Sequence, residues 1–146
     1  MNSINIKKVS PNAQVPTYGT QGAAGADLYA CLEEPVVIDP GHSEMISTGI
    51  AVEIPQGYVG LIYARSGMAC KRGLAPANKV GVIDSDYRGE LKIVLHNHSA
   101  NTQFIYDGDR VAQFVLTPVW TPEFNVCEEL SSTARADGGF GSTGSN

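Results

Sequence analysis

The sequence predicts an all-β fold, arranged as a sandwich, a barrel or a jelly roll. Short runs rich in β-branched and aromatic residues recur along the chain, and glycine or proline separates one run from the next. Only residues 67–72 suggest a helix, of one or two turns, with Ser66 as a possible cap. With 146 residues and no internal repeat or linker, the chain is expected to form one domain. The predicted strands cover residues 36–38, 45–54, 58–63, 93–96, 103–106 and 110–116.

A polar turn between two apolar segments is the most informative local feature. Apolar residues run up to Asp84, and apolar alternation resumes at Leu91, Ile93 and Leu95. This pattern predicts a β-hairpin whose tip carries an ionisable cluster. A turn can be closed by Asn-Gly or Asp-Gly, so two aspartates and Tyr87 exceed the structural need. Taken alone, the segment is also compatible with an ordinary solvated acidic turn.

Composition and charge exclude several classes of protein. A hydrophobic content of 42% with 17% charged residues is typical of a globular chain and not of a disordered one. No apolar run approaches the length of a membrane span, and the N-terminus lacks the hydrophobic core of a signal peptide, so a cytoplasmic location is expected. The net charge of −5 and the lack of a basic stretch argue against direct nucleic-acid binding. A few arginines could still hold a small polyanion.

The cysteines and histidines suggest no structural metal site. Cys31, Cys70 and Cys127 are odd in number and have no CxxC spacing, so free thiols are expected rather than a disulfide framework or a zinc site. His96 and His98 are two residues apart, which on a strand places both on one face. Because no third ligand accompanies them, a polar pair at a strand end is the better interpretation.

Four other segments combine glycine with charged or hydroxyl side chains. Residues 65–67 lie between a strand and the helix candidate, where a guanidinium, a hydroxyl and backbone amides would suit a phosphate. Arg110 follows a turn and would otherwise be a surface ion-pair residue. Asp27 lies among small residues and could equally be a turn or cap residue. The glycine-rich tail could wrap an anion or simply fray, although Phe140 within it favours a lid over a flat ring.

In order and spacing, the five segments strongly resemble the five motifs of the trimeric dUTPases. They span residues 24–144, nearly the whole chain. Two positions depart from the family pattern: Ala64 stands where proline is frequent, and Ala136 stands where glycine is usual. Neither change removes a functional group, but Ala136 could alter how readily the tail closes. The matching segments read AGADLYA, ARSGMA, NKVGVIDSDYRGE, GDRVAQ and RADGGFGSTG.

The resemblance implies a fold, an activity and a division of the chain. Residues 1–130 would form a distorted jelly roll or β-barrel, and residues 131–146 a flexible arm that closes over the active site. The implied reaction is hydrolysis of dUTP to dUMP and pyrophosphate, by attack of water on the α-phosphorus. This reaction keeps uracil out of DNA and supplies dUMP for thymidylate synthesis.

The resemblance also implies roles for individual residues. Asp84 would be the general base that holds the water, with Ser66 and Arg65 completing the catalytic set. Tyr87 would pack against the deoxyribose and leave no room for a 2′-hydroxyl. Asp27 would anchor Mg²⁺ through the waters bound to the ion. The remaining substrate-binding positions implied are Gly67, Asn78, Gly81, Val82, Ile83, Lys92, Arg110, Gln113, Arg135, Phe140, Gly141, Ser142 and Thr143.

The family assembles as a homotrimer with shared active sites, which implies self-association here. Three alternatives stay open at this point. The related dCTP deaminases share the jelly roll, but they need a catalytic glutamate and are usually longer. A nucleotide-binding regulator without turnover could retain the same residues. A structural jelly roll would explain the strands and leave the five motifs unexplained.

Overall fold

The structure is a computed structural model that describes residues 3–139. Within that range the chain forms eleven strands and one short helix, so the predicted all-β class is confirmed. The strands are β1 (Asn5–Lys8), β2 (Thr17–Tyr18), β3 (Ala26–Tyr29), β4 (Val36–Ile38), β5 (Ser43–Glu53), β6 (Tyr58–Tyr63), β7 (Leu74–Pro76), β8 (Gly81–Ile83), β9 (Glu90–Asn97), β10 (Gln103–Ile105) and β11 (Arg110–Pro118), and the helix is α1 (Ser66–Arg72).

Two main sheets and a small one form a distorted jelly roll. One sheet has the order β1-β5-β9-β7, the second has the order β2-β3-β11-β6-β8, and β10 pairs with β4. Alternate residues of β9 are buried, as expected for a strand with one face on a core. The core joins residues of all three sheets, among them Leu28, Ile38, Ile46, Leu95 and Val111, each at most 1% exposed.

The predicted hairpin around Asp84 is wrong, and the difference places the turn at the seam between the two main sheets. Strand β8 pairs with β6, whereas β9 lies between β5 and β7. Residues 84–89 therefore cross from one sheet to the other instead of closing a hairpin. The sequence pattern gives two strands and a polar turn, but alternation does not specify which neighbour each strand pairs with.

A bulge in β5 fixes the beginning of β9, next to this turn. The pairing of β5 with β9 shifts between Ser47 and Ala51, and Gly49 there has φ +67°, a conformation that favours glycine. The Gly49 amide donates to the Glu90 carboxylate at 2.8 Å, and the buried Thr48 hydroxyl donates to the Leu91 carbonyl at 2.6 Å. These two bonds hold the first residues of β9 against the bulge.

The helix begins one residue earlier than predicted. Ser66 is the first helical residue and not the cap; Arg65 occupies the cap position in an extended conformation, φ −89° and ψ 135°, without a side-chain capping bond. Its guanidinium bonds Asp27 instead. At the other end Gly73, with φ +66°, donates to the Ala69 carbonyl and ends the helix.

Asp27 lies within strand β3 and is neither a turn nor a cap residue. The four strands that the sequence pattern did not predict, β1, β2, β3 and β7, are each two to four residues long. None of these four contains a run of β-branched residues such as the one that marks the equally short β4. The three cysteines are free, as predicted. Among the residues that the structure describes, no helix is long and apolar enough to cross a membrane.

Candidate active site

A small cavity lies between β8 and β9. Its volume is about 110 Å³, a size that suits a single small ring. Ile62, Pro76, Ile93 and Val94 complete its lining and give it apolar walls. Five residues that the sequence analysis expected to bind substrate also line it: Asn78, Gly81, Val82, Ile83 and Lys92.

The backbone of β8 gives this cavity polar groups as well. Strand β8 is the last strand of its sheet and pairs only with β6, so its other edge carries backbone groups that no neighbouring strand uses. Asn78, which lines the cavity, adds an amide that can both donate and accept hydrogen bonds. The cavity thus combines apolar walls with hydrogen-bond donors and acceptors, which suits the imide edge of a pyrimidine.

The turn that follows β8 is braced by its own hydrogen bonds. The Tyr87 amide donates to the Asp84 carbonyl at 3.2 Å, and Arg88 Nη1 donates to the carbonyls of Ser85 at 2.7 Å and Tyr87 at 3.0 Å. The Asp84 side chain is exposed and makes no hydrogen bond to another described residue. A carboxylate held on a rigid turn with free oxygens can bind and polarise a water molecule. Sequence reasoning missed the bracing role of Arg88.

A second polar cluster forms around Asp27, which is only 8% exposed. Arg65 Nε donates to Asp27 Oδ1 at 2.7 Å, and Arg110 Nη1 donates to Oδ2 at 3.4 Å. Arg65 also donates from Nη1 to the Arg110 carbonyl at 3.4 Å. One carboxylate thus orients two guanidiniums, and the cluster keeps a formal charge of +1, which suits a polyphosphate.

Gln113 extends this cluster along β11. Its side-chain amide donates to the Ala64 carbonyl at 2.8 Å, which ties β11 to the residue before Arg65. A Cβ on Gly25 would lie 2.6 Å from Gln113 Oε1, so the glycine there is needed for close packing. Ser66 follows Arg65, and its hydroxyl makes no hydrogen bond to another described residue. The predicted phosphate-binding residues therefore lie at the same end of the sheet that contains β3, β6 and β11: Arg65, Ser66, Gly67, Arg110 and Gln113.

Strand register separates the Asp27 cluster from Asp84 within one chain. Gln113 pairs with Tyr63, whereas Gly60 pairs with Ile83, so Asp84 lies level with Val59. Tyr63 is four residues along the strand from Val59, a distance of roughly 13 Å. A single chain therefore brings the predicted residues together in two groups and not in one.

Of the tail residues predicted for the site, Arg135 is the one that lies within the described residues. Arg135 Nε donates to the Gly138 carbonyl at 2.8 Å, and Ala136 has φ +47°, in the region that favours glycine. Alanine thus adopts here the conformation that glycine, the usual residue in the family pattern, adopts without strain. Phe140, Gly141, Ser142 and Thr143 lie outside the described residues.

The residues around Asp27 fit a divalent cation only through water or through a bound ligand. Both Asp27 oxygens already accept bonds from arginine, so a metal bound directly would have to displace a guanidinium. Within residues 3–139 no three His, Cys, Asp or Glu side chains form a group that could hold a metal ion. A Mg²⁺ ion that keeps its waters and arrives on a phosphate chain fits these constraints.

The two histidines share one face, as predicted, on the sheet that carries β9. Their rings are 4.5 Å apart, and Ser43 Oγ is 2.8 Å from His96 Nδ1. Partial desolvation, with smaller contributions from the charges of His96 and Lys79, lowers the pKa of His98 below its ordinary value of 6.5. Neither histidine is among the residues that line the small cavity.

Comparison with known proteins gives a consistent result. A family model described as dUTPase matches residues 11–144. The chain is 48% identical to the deoxyuridine 5'-triphosphate nucleotidohydrolase of Desulfitobacterium hafniense (strain DSM 10664 / DCB-2), covering 99% of each protein. It is also 48% identical to the protein of that name from Hydrogenobaculum sp., covering 95% of this chain and 96% of that protein.

Solved structures show the same likeness. Staphylococcus bacteriophage 80alpha dUTPase with dUPNHPP has a TM-score of 0.90 at 34% identity, covering 99% of this chain and 100% of that one. The dUTPase from phage phi11 of S. aureus has a TM-score of 0.82 at 32% identity, covering 90% of this chain and 100% of that one. Phage dUTPases are described there as controlling the transfer of virulence genes by a proto-oncogenic G protein-like mechanism.

Proposed function

The chain belongs to the dUTPase family and is a dUTP diphosphatase, and we propose that Asp84 activates the water that attacks the α-phosphorus of dUTP. The observation that carries the proposal is the junction of the 110 Å³ cavity with the braced turn that bears Asp84. A base held in that cavity would place its sugar and first phosphate beside the turn. The exposed carboxylate has free oxygens with which to hold a water there.

In this proposal the cavity recognises the base, and the turn that follows β8 recognises the sugar. Asn78 and the free edge of β8, through Val82 and Ile83, bind the imide edge of uracil. The apolar walls and the small volume leave no room for the methyl group of thymine. Tyr87, at the end of the turn, packs its ring against the deoxyribose and excludes a 2′-hydroxyl. Lys92 and Gly81 complete the lining.

The phosphates occupy the second cluster. Ser66 and the Gly67 amide bind phosphate oxygens and stabilise the charge that develops on the leaving pyrophosphate. Arg65 and Arg110, both held by Asp27, supply positive charge, and Gln113 adds an amide donor. In the tail Arg135 grips the outer phosphate. Support comes from the charge of the cluster and from the absence of another described partner for the Ser66 hydroxyl.

Mg²⁺ is the proposed cofactor. When bound to the triphosphate, the ion would neutralise phosphate charge and favour one conformation of the triphosphate. Asp27 would accept hydrogen bonds from the waters of the ion, because its oxygens retain lone pairs beside those that bond arginine. The arrangement described for Asp27 agrees with such an outer contact and disfavours direct ligation.

We also propose a homotrimer with shared active sites. The separation of roughly 13 Å along the strands between the Asp84 turn and the Asp27 cluster supports it, because subunits that share a site can bring the turn of one chain beside the cluster of another. Residues after β11 support it too. Trp120, Phe124, Val126 and Leu130 are large, apolar and exposed, so association would bury them.

The tail acts as a lid in this proposal. Residues 131–146 would cross to a neighbouring site, where Phe140 stacks over the uracil and Ser142 and Thr143 bind the outer phosphate. Gly141 would allow the backbone to approach the ligand closely. In the cell, a cytoplasmic enzyme of this kind would keep uracil out of DNA and provide dUMP. No direct contact with nucleic acid or membrane is expected.

Product analysis tests the whole proposal. Purified protein with Mg²⁺ is incubated separately with dUTP, dCTP, dTTP and UTP, and nucleotide, pyrophosphate and ammonia are measured. Formation of dUMP and pyrophosphate from dUTP alone is the expected result. Ammonia from dCTP would indicate the deaminase reaction instead. Tight dUTP binding without turnover would indicate a nucleotide-dependent regulator.

A further inference from the structure

The ring of Tyr87 rests on the backbone of Gly89. A Cβ built at Gly89 would overlap Tyr87 Oη and would lie 2.5 Å from Cζ and 2.9 Å from Cε2, whereas ordinary contacts begin at 3.4 Å. The glycine shows no positive φ, so its backbone does not require glycine. What excludes a side chain at this position is the aromatic ring itself.

Further contacts hold the ring in this place. Tyr87 Oη donates to the Glu90 carbonyl at 3.0 Å, and the Tyr87 amide donates to the Asp84 carbonyl. Glu90 is in turn fixed, because its carboxylate accepts from the Gly49 amide at the bulge of β5. Tyr87 remains 44% exposed, so the part of the ring away from Gly89 is free to contact a ligand. Gly89 and Glu90 thus contact one side of the ring, and the other side is exposed.

We propose that Gly89 is a specificity-determining positioning residue, which sets how closely the Tyr87 ring approaches the sugar. The inference rests on the proposed contact between Tyr87 and the deoxyribose. With a methyl group at position 89 the ring must move by about 1 Å to restore ordinary contact, and its hydroxyl leaves the Glu90 carbonyl. A shift of that size pushes the ring away from Gly89 toward its exposed side, where it crowds the deoxyribose itself. dUTP then loses the close fit that UTP already lacks, so discrimination between the two falls.

The test compares dUTP with UTP as substrates of the full-length protein. For Gly89→Ala we expect the ratio of kcat/KM for dUTP to that for UTP to fall about tenfold. Gly19→Ala is the matched control, because a Cβ there meets no atom within 4 Å and its φ is not positive. The ratio for Gly19→Ala is expected to equal that of the wild type.

A double-mutant cycle separates this role from a general effect on the backbone. Tyr87→Ala is expected to lower the dUTP/UTP ratio at least as much as Gly89→Ala, and adding Gly89→Ala to it should change nothing further. A further fall in the double variant would mean that Gly89 acts through the backbone, which overturns the inference. If Gly89→Ala does not fold, Tyr87→Phe removes the bond to Glu90 together with the ring atom nearest to position 89, and an unchanged ratio would then overturn the inference.

Failure of the inference and failure of the proposed function give different results. If Tyr87→Ala lowers the ratio but Gly89→Ala leaves it unchanged, the positioning role of Gly89 is wrong and the sugar contact of Tyr87 stands. If Tyr87→Ala itself leaves the ratio unchanged, the sugar contact is wrong and the inference falls with it.

Discussion

The two halves of the site are held together in different ways. The turn at residues 84–89 is built from bonds between residues one to three positions apart, such as Arg88 with Ser85. The Asp27 cluster joins residues 38 and 83 positions apart, Arg65 and Arg110 with Asp27. Local bonds to backbone carbonyls give the turn a fixed shape and leave the Asp84 carboxylate without a described partner. Strand register brings the Asp27 cluster together, and the Asp27 carboxylate there accepts a hydrogen bond from each of two arginines.

This difference suggests different tasks for the two carboxylates, a chemical one for Asp84 and a binding one for Asp27. An aspartate whose oxygens are free can take a proton from water, whereas one that bonds two guanidiniums serves to place them. Substitutions in the turn should therefore act on the chemical step, and substitutions in the cluster should act on triphosphate affinity and on stability.

The largest effect is expected for Asp84→Asn. The amide keeps the shape of the side chain but cannot accept the proton, so kcat should fall about 10³-fold while nucleotide affinity changes little. Pyrophosphate release gives kcat, and calorimetric titration with dUPNHPP gives affinity. Asp86→Asn, two residues along the same turn, is the control. Unchanged turnover would contradict the assignment of the general base.

Truncation after Ala134 should lower kcat/KM about 100-fold and leave the fold intact, because the core ends before this point. Circular dichroism and thermal unfolding check the fold. A second truncation after Gly139 keeps Arg135 but removes Phe140 and the hydroxyls. Full activity in both would disprove the lid, and activity in only the longer chain would assign the effect to residues 135–139.

Asp27→Asn should act mainly on binding. The two guanidiniums lose their shared anion, so the free energy of unfolding should fall by about 2 kcal/mol and KM for dUTP should rise about tenfold. Affinity for dUMP, which lacks the outer phosphates, should stay the same. Urea denaturation and titration with both nucleotides measure this, with the exposed Glu34→Gln as the charge-matched control. Equal losses for dUMP and dUTP would contradict the division between the two halves.

The smallest effect concerns stability alone and lies outside both halves. Because the folded protein lowers the pKa of His98, the unfolded chain binds the proton first as the pH falls below 6.5. Stability should therefore drop from pH 7 to pH 5, and less so in His98→Asn, with kcat at pH 7.5 unchanged. Urea midpoints at several pH values test this, with His42→Asn as control. A steeper drop in the variant would contradict the direction of the shift.

The comparison also explains how far the sequence could be interpreted. Fold class, most longer strands and the polar turn after β8 follow from local patterns, and the site residues follow from a resemblance of motifs. The crossing of residues 84–89 between sheets and the strand position of Asp27 depend on pairings between distant segments, which no local pattern encodes. Gly89 had a detectable signal, since a glycine two residues after an aromatic in a turn leaves room for the ring.

The crossing of the Asp84 turn between the two sheets also has a kinetic meaning. The turn reaches its final position only when β8 has paired with β6 and β9 has paired with β5, and Asp27 meets Arg110 only when β11 pairs with β3. Such distant pairings form slowly, because the entropy cost of closing a long loop comes before the contacts that stabilise the pairing. After dilution from urea, strand formation should therefore precede catalysis, and the return of turnover should mark the last step of folding.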